Sequence, residues 1–317
     1  MSEWLGRRAV ALSGLTPGSG TADPRPFADA LAGVWVIGLG EATHGSRELS
    51  LLQHRLLEFL VTELGFTVLA MEAGVAAAAA VDAYARHGEG DPAAALRGLG
   101  VLDPAHRRAA GRAPAGCATT TAPRRPRRVS FAGIDPPYPA ASLAALRAGT
   151  GQAEAALLAG AEARVAVWAH NGHVTTGRHS AGTIRAMDSY LRNRHGDTYY
   201  APAAPFGRGE FLARRSRFGR TRLDRPPVVH RIPFAANELL VEATVEAAHA
   251  GPFLVDLRDP TPPDPVAAWL QRQSYLRGFG AVVGRFTHKT AFTATVLAEA
   301  FDGIAYLPEV VGSTPLG

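Results

Sequence analysis

The sequence predicts an α/β fold with a mainly parallel central sheet flanked by helices, and three observations carry that reading. Short β-rich runs alternate with helical stretches along the 317 residues, the pattern of strands joined by helical crossovers. Two motifs, Gly38-Leu-Gly-Glu41-Ala-Thr-His44-Gly45 and Trp168-Ala-His170-Asn-Gly-His173, directly follow the apolar runs Val34-Trp35-Val36-Ile37 and Arg164-Val-Ala-Val167. Behind the first motif, Leu49, Leu52, Leu56, Phe59 and Leu60 recur at helical spacing and form one apolar face.

Taken in order, β-prone runs place strands near 34–40, 67–72, 128–134, 164–169, 198–201, 252–257 and 304–308. Helical stretches fall near 47–64, 75–86, 139–160, 181–194, 237–248 and 289–300. Short β-prone pieces broken by Arg and Gly over 211–232 read as a hairpin, and the Pro, Ala, Arg and Thr-rich stretch 102–126 reads as an irregular insert, a loop or disorder. Residues 1–317 are expected to form a single α/β domain carrying that insert.

An apolar fraction of 47% is that of an ordinary globular protein. The net charge of +5 comes from arginine, since Lys289 is the one lysine. The densest basic cluster, Arg124-Arg125-Pro-Arg127-Arg128, has no aromatic interleaving, so no nucleic-acid partner is expected. Cys117 is the single cysteine, which excludes an intrachain disulfide and a multi-cysteine metal site. No apolar stretch reaches the ~18 residues that span a bilayer, and the first residues lack the apolar segment of a signal peptide. The expectation is a cytoplasmic protein with no membrane partner and no cofactor.

In a parallel sheet the strand exits share one edge, where ligands bind. Four exits here carry acid/base residues: Glu41 and His44, Glu72, Asp135, and His170 with His173. A neutral histidine takes a proton from water near neutral pH. A carboxylate on its other ring nitrogen fixes the tautomer, and a second histidine donates to an oxyanion or protonates a leaving alkoxide. The expected chemistry is therefore hydrolysis by histidine-activated water, with Arg47, in the first helical turn, and Asp135 as substrate-binding residues. The same Glu and His residues also suit a metal such as zinc. The reading without a metal is preferred because the turn-prone Asn171-Gly172 pair points His170 and His173 in different directions. A hydrogen-bonded polar cluster without chemistry is the bland alternative.

Rival signals are weaker. Gly38-Leu-Gly40 lacks the third glycine of a dinucleotide fingerprint. Ser180 sits too far beyond its strand for a nucleophile elbow and reads as a helix N-cap. His54, His179, His195, His230, His249 and His288 read as structural, and Arg55 as the partner of a neighbouring residue.

The segments quoted resemble the erythromycin esterase family. They are joined by Gln53-His-Arg-Leu-Leu-Glu-Phe-Leu, Val68-Leu-Ala-Met-Glu, Phe131-Ala-Gly-Ile-Asp-Pro, Gly196-Asp-Thr-Tyr-Tyr, Phe253-Leu-Val-Asp-Leu-Arg258 and Phe301-Asp-Gly-Ile. The resemblance implies an α/β fold with a helical lobe over the cleft and water-mediated opening of a macrolide lactone. It implies His44 as general base beside Glu41, with Glu72, His170 and His173 as further cleft residues. Two departures stand out. Gln53 replaces a basic residue frequent in the family, and little chain between Asp135 and Arg164 is available for the lobe, which is therefore shortened. The expected substrate is an ester or lactone of a small natural product, with weak or absent erythromycin hydrolysis. The alternatives are a biosynthetic enzyme using the same histidines for elimination, cyclisation or acyl rearrangement, and a non-catalytic binding protein.

Overall fold

The computed structural model describes residues 1–99, 129–135, 163–179, 184–185, 187–217, 220–221, 226–234, 237–284 and 291–313. The expected insert at 102–126 and helix at 139–160 lie outside them, as do Cys117 and Ser180.

The chain opens with helix α1 (Ser2–Arg8) and the short strand β1 (Val10–Ala11). Strands β2 (Val36–Glu41), β3 (Val68–Gly74), β4 (Ser130–Asp135), β5 (Val165–His170) and β8 (Tyr199–Tyr200) form an all-parallel sheet in the order β4-β3-β5-β2-β8. All six residues of β2 are buried, and so are the first five of β5. That is why both read as near-continuous apolar runs and lie inside the sheet. A small pair, β6 (Arg178–His179) and β7 (Ile184–Arg185), lies between β5 and β8 in sequence.

Helix α2 (Arg47–Thr62) starts on Ser46, whose hydroxyl accepts the Leu49 N–H at 3.2 Å. Its Leu49, Leu52, Leu56, Phe59 and Leu60 are buried in the main core. The opposite face is covered too: Arg55 is 2% exposed and pairs with Asp23 at 2.5 Å, while Glu58 accepts the Gly18 N–H at 2.9 Å. The segment 13–25 thus straps α2 onto the sheet. Helix α3 (Val75–His87) ends on Gly88, whose φ of 73° supplies the left-handed cap.

A second, mixed sheet holds the C-terminal half. Strands β9 (Pro202–Ala203), β10 (Phe206–Arg217), β11 (Arg220–Thr221), β12 (Val228–Ile232), β13 (Phe253–Asp256), β15 (Val282–Gly284) and β17 (Gly303–Val310) join β1 there. The expected hairpin is present as the antiparallel β10–β12 pair. The strands read near 252–257 and 304–308 are β13 and β17, antiparallel to each other in this second sheet.

The reading of 289–300 as a helix is corrected. Phe292–Val296 is strand β16, antiparallel to β14 (Gln273–Arg277), and of the described residues in that span Leu297–Ala300 alone are helical. The Thr and Val side chains at 293, 295 and 296 are stiff at χ1 and suit a pleated strand. The helices read at 181–194 and 237–248 occupy Met187–His195 and Val241–Glu246. Among the described residues, no helix is long and apolar enough to cross a membrane.

Candidate active site

Glu41, His44, Glu72, His170 and His173 are delivered by the ends of the parallel strands β2, β3 and β5 and by the turns that follow them. β2 terminates at Glu41, and the following turn brings His44 back so that its Nδ1–H donates to Glu41 Oε1 at 2.8 Å. The Glu41 side chain is 1% exposed and that of His44 13%. A buried carboxylate thus fixes the tautomer and ring orientation of a partly exposed histidine.

The turn is held from outside by the second sheet. Gly45 O accepts the Leu212 and Ser313 N–H groups, both at 3.0 Å, and the Arg47 N–H donates to Val311 O at 3.0 Å. A β-carbon on Gly45 would lie 1.8 Å from Leu212 O, so the close approach demands glycine.

β3 breaks register with β4 between Met71 and Gly74, and its pairing with β5 stops at Met71. Glu72 falls in that irregularity, where a strand re-aims a side chain. Its carboxylate accepts the His170 backbone N–H at 3.1 Å and the His173 Nε2–H at 3.2 Å. Burial alone would raise the Glu72 carboxyl. The hydrogen bond from His173 and the cationic forms of His44 and His173 outweigh burial and bring it down to about 2.

His170 ends β5 and caps the short helix Asn171–Val174, its Nδ1 accepting the Gly172 N–H at 3.1 Å. The proton therefore sits on Nε2, which donates to Ala42 O at 3.3 Å. Burial, reinforced by the charge of His44, lowers His170 to about 4, so the ring is neutral at neutral pH. It lies between the two other imidazoles, with ring centroids 5.6 Å from His44 and 6.4 Å from His173. The His173 side chain is 52% exposed.

Glu41, His44, Glu72, His170 and His173 are thus brought together. The Arg47 side chain, 60% exposed, donates to Glu48 at 2.8 and 2.7 Å. Asp135 ends β4 opposite Gly74; its side chain lies outside the described residues. Gln53 is buried in α2 and its amide donates to Gly40 O. Among the described residues, no group of three or more His, Cys, Asp or Glu is gathered so as to hold a metal ion.

Sequence reasoning missed Gly278 and Phe279. The Phe279 N–H donates to Ala42 O at 2.7 Å, and a β-carbon on Gly278 would sit 3.4 Å from His170 Cε1. No strand-end motif or spacing links them to positions 42 and 170.

A carboxylate-held histidine and a second Glu–His pair stand together at the carboxyl edge of a parallel sheet, the groups that acid/base chemistry uses. Comparison with known proteins narrows the class. The erythromycin esterase family model matches residues 61–166 and 152–310, and the chain belongs to that family. An erythromycin esterase type II of Escherichia coli is 32% identical over 88 residues, which are 28% of this chain and 21% of that protein. The chain thus aligns with about a fifth of that relative's length. Among solved structures, a succinoglycan biosynthesis protein has a TM-score of 0.77 at 18% identity, covering 98% of this chain and 97% of that one. A Bacillus cereus protein also reaches 0.77 at 18% identity, covering 100% and 98%. The erythromycin esterase EreC, as a mutant in its open conformation, reaches 0.66 at 16% identity, covering 95% and 97%. These structural likenesses establish the shared fold.

Proposed function

We propose that this protein hydrolyses an ester or lactone of a small natural product with water activated by His44. The observation that carries the reading is the 2.8 Å contact between His44 Nδ1 and the buried Glu41 carboxylate, within a family named for esterase activity. With Nδ1 bonded to Glu41, proton transfer runs through Nε2. His44 takes a proton from water as the water oxygen attacks the ester carbonyl carbon. The tetrahedral oxyanion then collapses, the carbon–oxygen bond to the alcohol breaks, and the alkoxide receives the proton. The products are a carboxylic acid and an alcohol, with no covalent protein intermediate. Glu41 stabilises the imidazolium while it exists.

His173, half exposed and held by Glu72 through Nε2–H, is assigned the hydrogen bond to the oxyanion, donated from Nδ1–H of its imidazolium form. His170 has both ring nitrogens bonded to backbone groups and is assigned to positioning. This reading uses no metal; both ring nitrogens of His170 are bonded to backbone groups, which takes that residue out of any set of ligands.

A panel of para-nitrophenyl esters, small lactones and erythromycin tests the reading. His44→Ala is expected to lose on the order of 10²–10⁴ in rate while remaining folded, and Ser180→Ala to lose almost nothing. Activity is expected to survive exhaustive chelation. A dead Ser180→Ala variant beside an active His44→Ala variant would move the chemistry to a serine nucleophile. Loss with chelator, restored by one divalent metal, would move it to metal-bound hydroxide.

A further inference from the structure

The Ala42 carbonyl lies inside the turn that carries the base, between Glu41 and His44, and it has two donors. One is the Phe279 backbone N–H at 2.7 Å, the other His170 Nε2–H at 3.3 Å. Thr43 and Phe279 also form an isolated parallel bridge. The base-bearing turn is therefore clamped by an imidazole and by the backbone of the segment that follows β14.

The segment that supplies the second clamp is itself anchored. The Arg277 N–H donates to Glu242 Oε1 at 2.8 Å. Its guanidinium, in a residue 3% exposed, donates to the carbonyls of Pro233, at 3.0 Å, Phe206 and Gly207. Phe279 is fully buried, with its ring centroid 4.9 Å from that of Phe211. Between these two fixed residues, Gly278 lies flat over the edge of His170. A β-carbon there would come 3.4 Å from Cε1 and 3.7 Å from Nε2. A methyl group is thus at ordinary contact distance from the ring, and a branched side chain, with atoms beyond it, is expected to press on the imidazole.

We propose that Arg277, Gly278 and Phe279 are positioning residues for the catalytic base, acting through the Ala42 carbonyl and His170. Gly278 leaves the imidazole room to reach Ala42 O, Phe279 N–H holds the same oxygen, and Arg277 fixes both to the core of the second sheet. His170 transmits the placement as a neutral ring. The groups facing it are Glu41 and His44 from the end of β2, Glu72 from β3 and His173 from its own loop, and its neutrality follows from burial among them. The kinetic part of this inference rests on the esterase reading; the geometric part does not.

The test compares Gly278→Ala with Gly278→Val in the full chain. Gly278→Ala, whose methyl group would meet the His170 ring at ordinary contact distance, should lower kcat less than Gly278→Val does. Gly278→Val should displace the His170 ring and lower kcat by up to on the order of 10²-fold, the cost of about 1 Å of misplacement, with KM little changed and the thermal midpoint close to wild type. Nuclear magnetic resonance titration of the His170 imidazole supplies a readout that needs no substrate. It should titrate near 4 in the wild type and Gly278→Ala, and closer to an ordinary histidine in Gly278→Val. Should the valine variant not fold, Gly278→Ser adds one atom beyond the methyl and carries the same expectation at smaller size. A valine or serine variant with wild-type His170 titration would overturn the proposal. So would a loss of kcat shared equally by Gly278→Ala. If no ester is turned over by any variant, the esterase reading fails while the titration still decides the positioning role.

Discussion

A β-carbon on Gly40 would come 2.3 Å from Asn171 Oδ1, 2.8 Å from Val174 Cγ2 and 2.9 Å from Pro202 O. The Asn171 amide is meanwhile spent on Ala204, accepting its N–H at 3.0 Å and donating to its carbonyl at 3.4 Å. The two motifs read at 38–45 and 168–173 therefore interlock across neighbouring strands β2 and β5, with Glu41 and His170 as direct register partners. Gly40→Ala is expected to cost roughly 1–3 kcal/mol through overpacking, because backbone and a bonded amide leave the methyl no soft neighbour. Urea titration measures it, and a midpoint equal to wild type would show that Asn171 gives way freely. Glu41, His44, Glu72, His170 and His173 were legible in the sequence because each directly follows a buried apolar run. Gly278 and Phe279 were not. Their role depends on a tertiary approach more than a hundred residues distant, which no local pattern encodes.

At the scale of elements, the ends of β3 and β5 are tied by groups whose protonation differs between native and unfolded chains. Native His170 titrates at about 4 against an ordinary 6.5, so between those pH values the unfolded chain binds a proton that the native one does not. Native Glu72 titrates at about 2 against 4.5, with the same consequence in the lower window. Both contributions lower stability as pH falls, the first through the range from 6.5 to about 4 and the second from 4.5 to about 2. Thermal midpoints should therefore drop steadily on acidification. His170→Asn, whose amide oxygen can still cap Gly172, should flatten the upper part of that decline, and Glu72→Gln the lower part. A His170→Asn variant with the full wild-type slope above pH 4.5 would contradict the assignment of a neutral native His170. Among the elements, the parallel strands were legible because burial on both faces writes a continuous apolar run. Strand β16 was read as helix because an alternating Thr and Ala run beside Leu297-Ala-Glu-Ala300 satisfies a helical window, and its partner β14 alone decides otherwise.

Across the whole molecule, the parallel sheet and the C-terminal half divide the labour. The parallel sheet delivers Glu41, His44, Glu72, His170 and His173, and the C-terminal half grips the turn that holds His44, through Leu212 of β10, Phe279 after β14, and Val311 and Ser313 after β17. The parallel sheet was foreseen from alternating strands and helices. The second sheet was not, because its strands β13 and β17 carry the same apolar pattern and only their antiparallel pairing separates them. The central claim is that hydrolysis proceeds through water activated by a histidine that Glu41 orients and charges. The most direct measurement is the pH dependence of kcat/KM for the wild type and Glu41→Gln on an ester that the wild type turns over. Glutamine can still accept the Nδ1–H but cannot stabilise the imidazolium. Glu41→Gln should therefore lose on the order of 10²-fold or more at its optimum, with the acid limb of the profile moved to lower pH and the fold unchanged. A Glu41→Gln enzyme with wild-type kcat/KM and an unmoved acid limb would contradict the account.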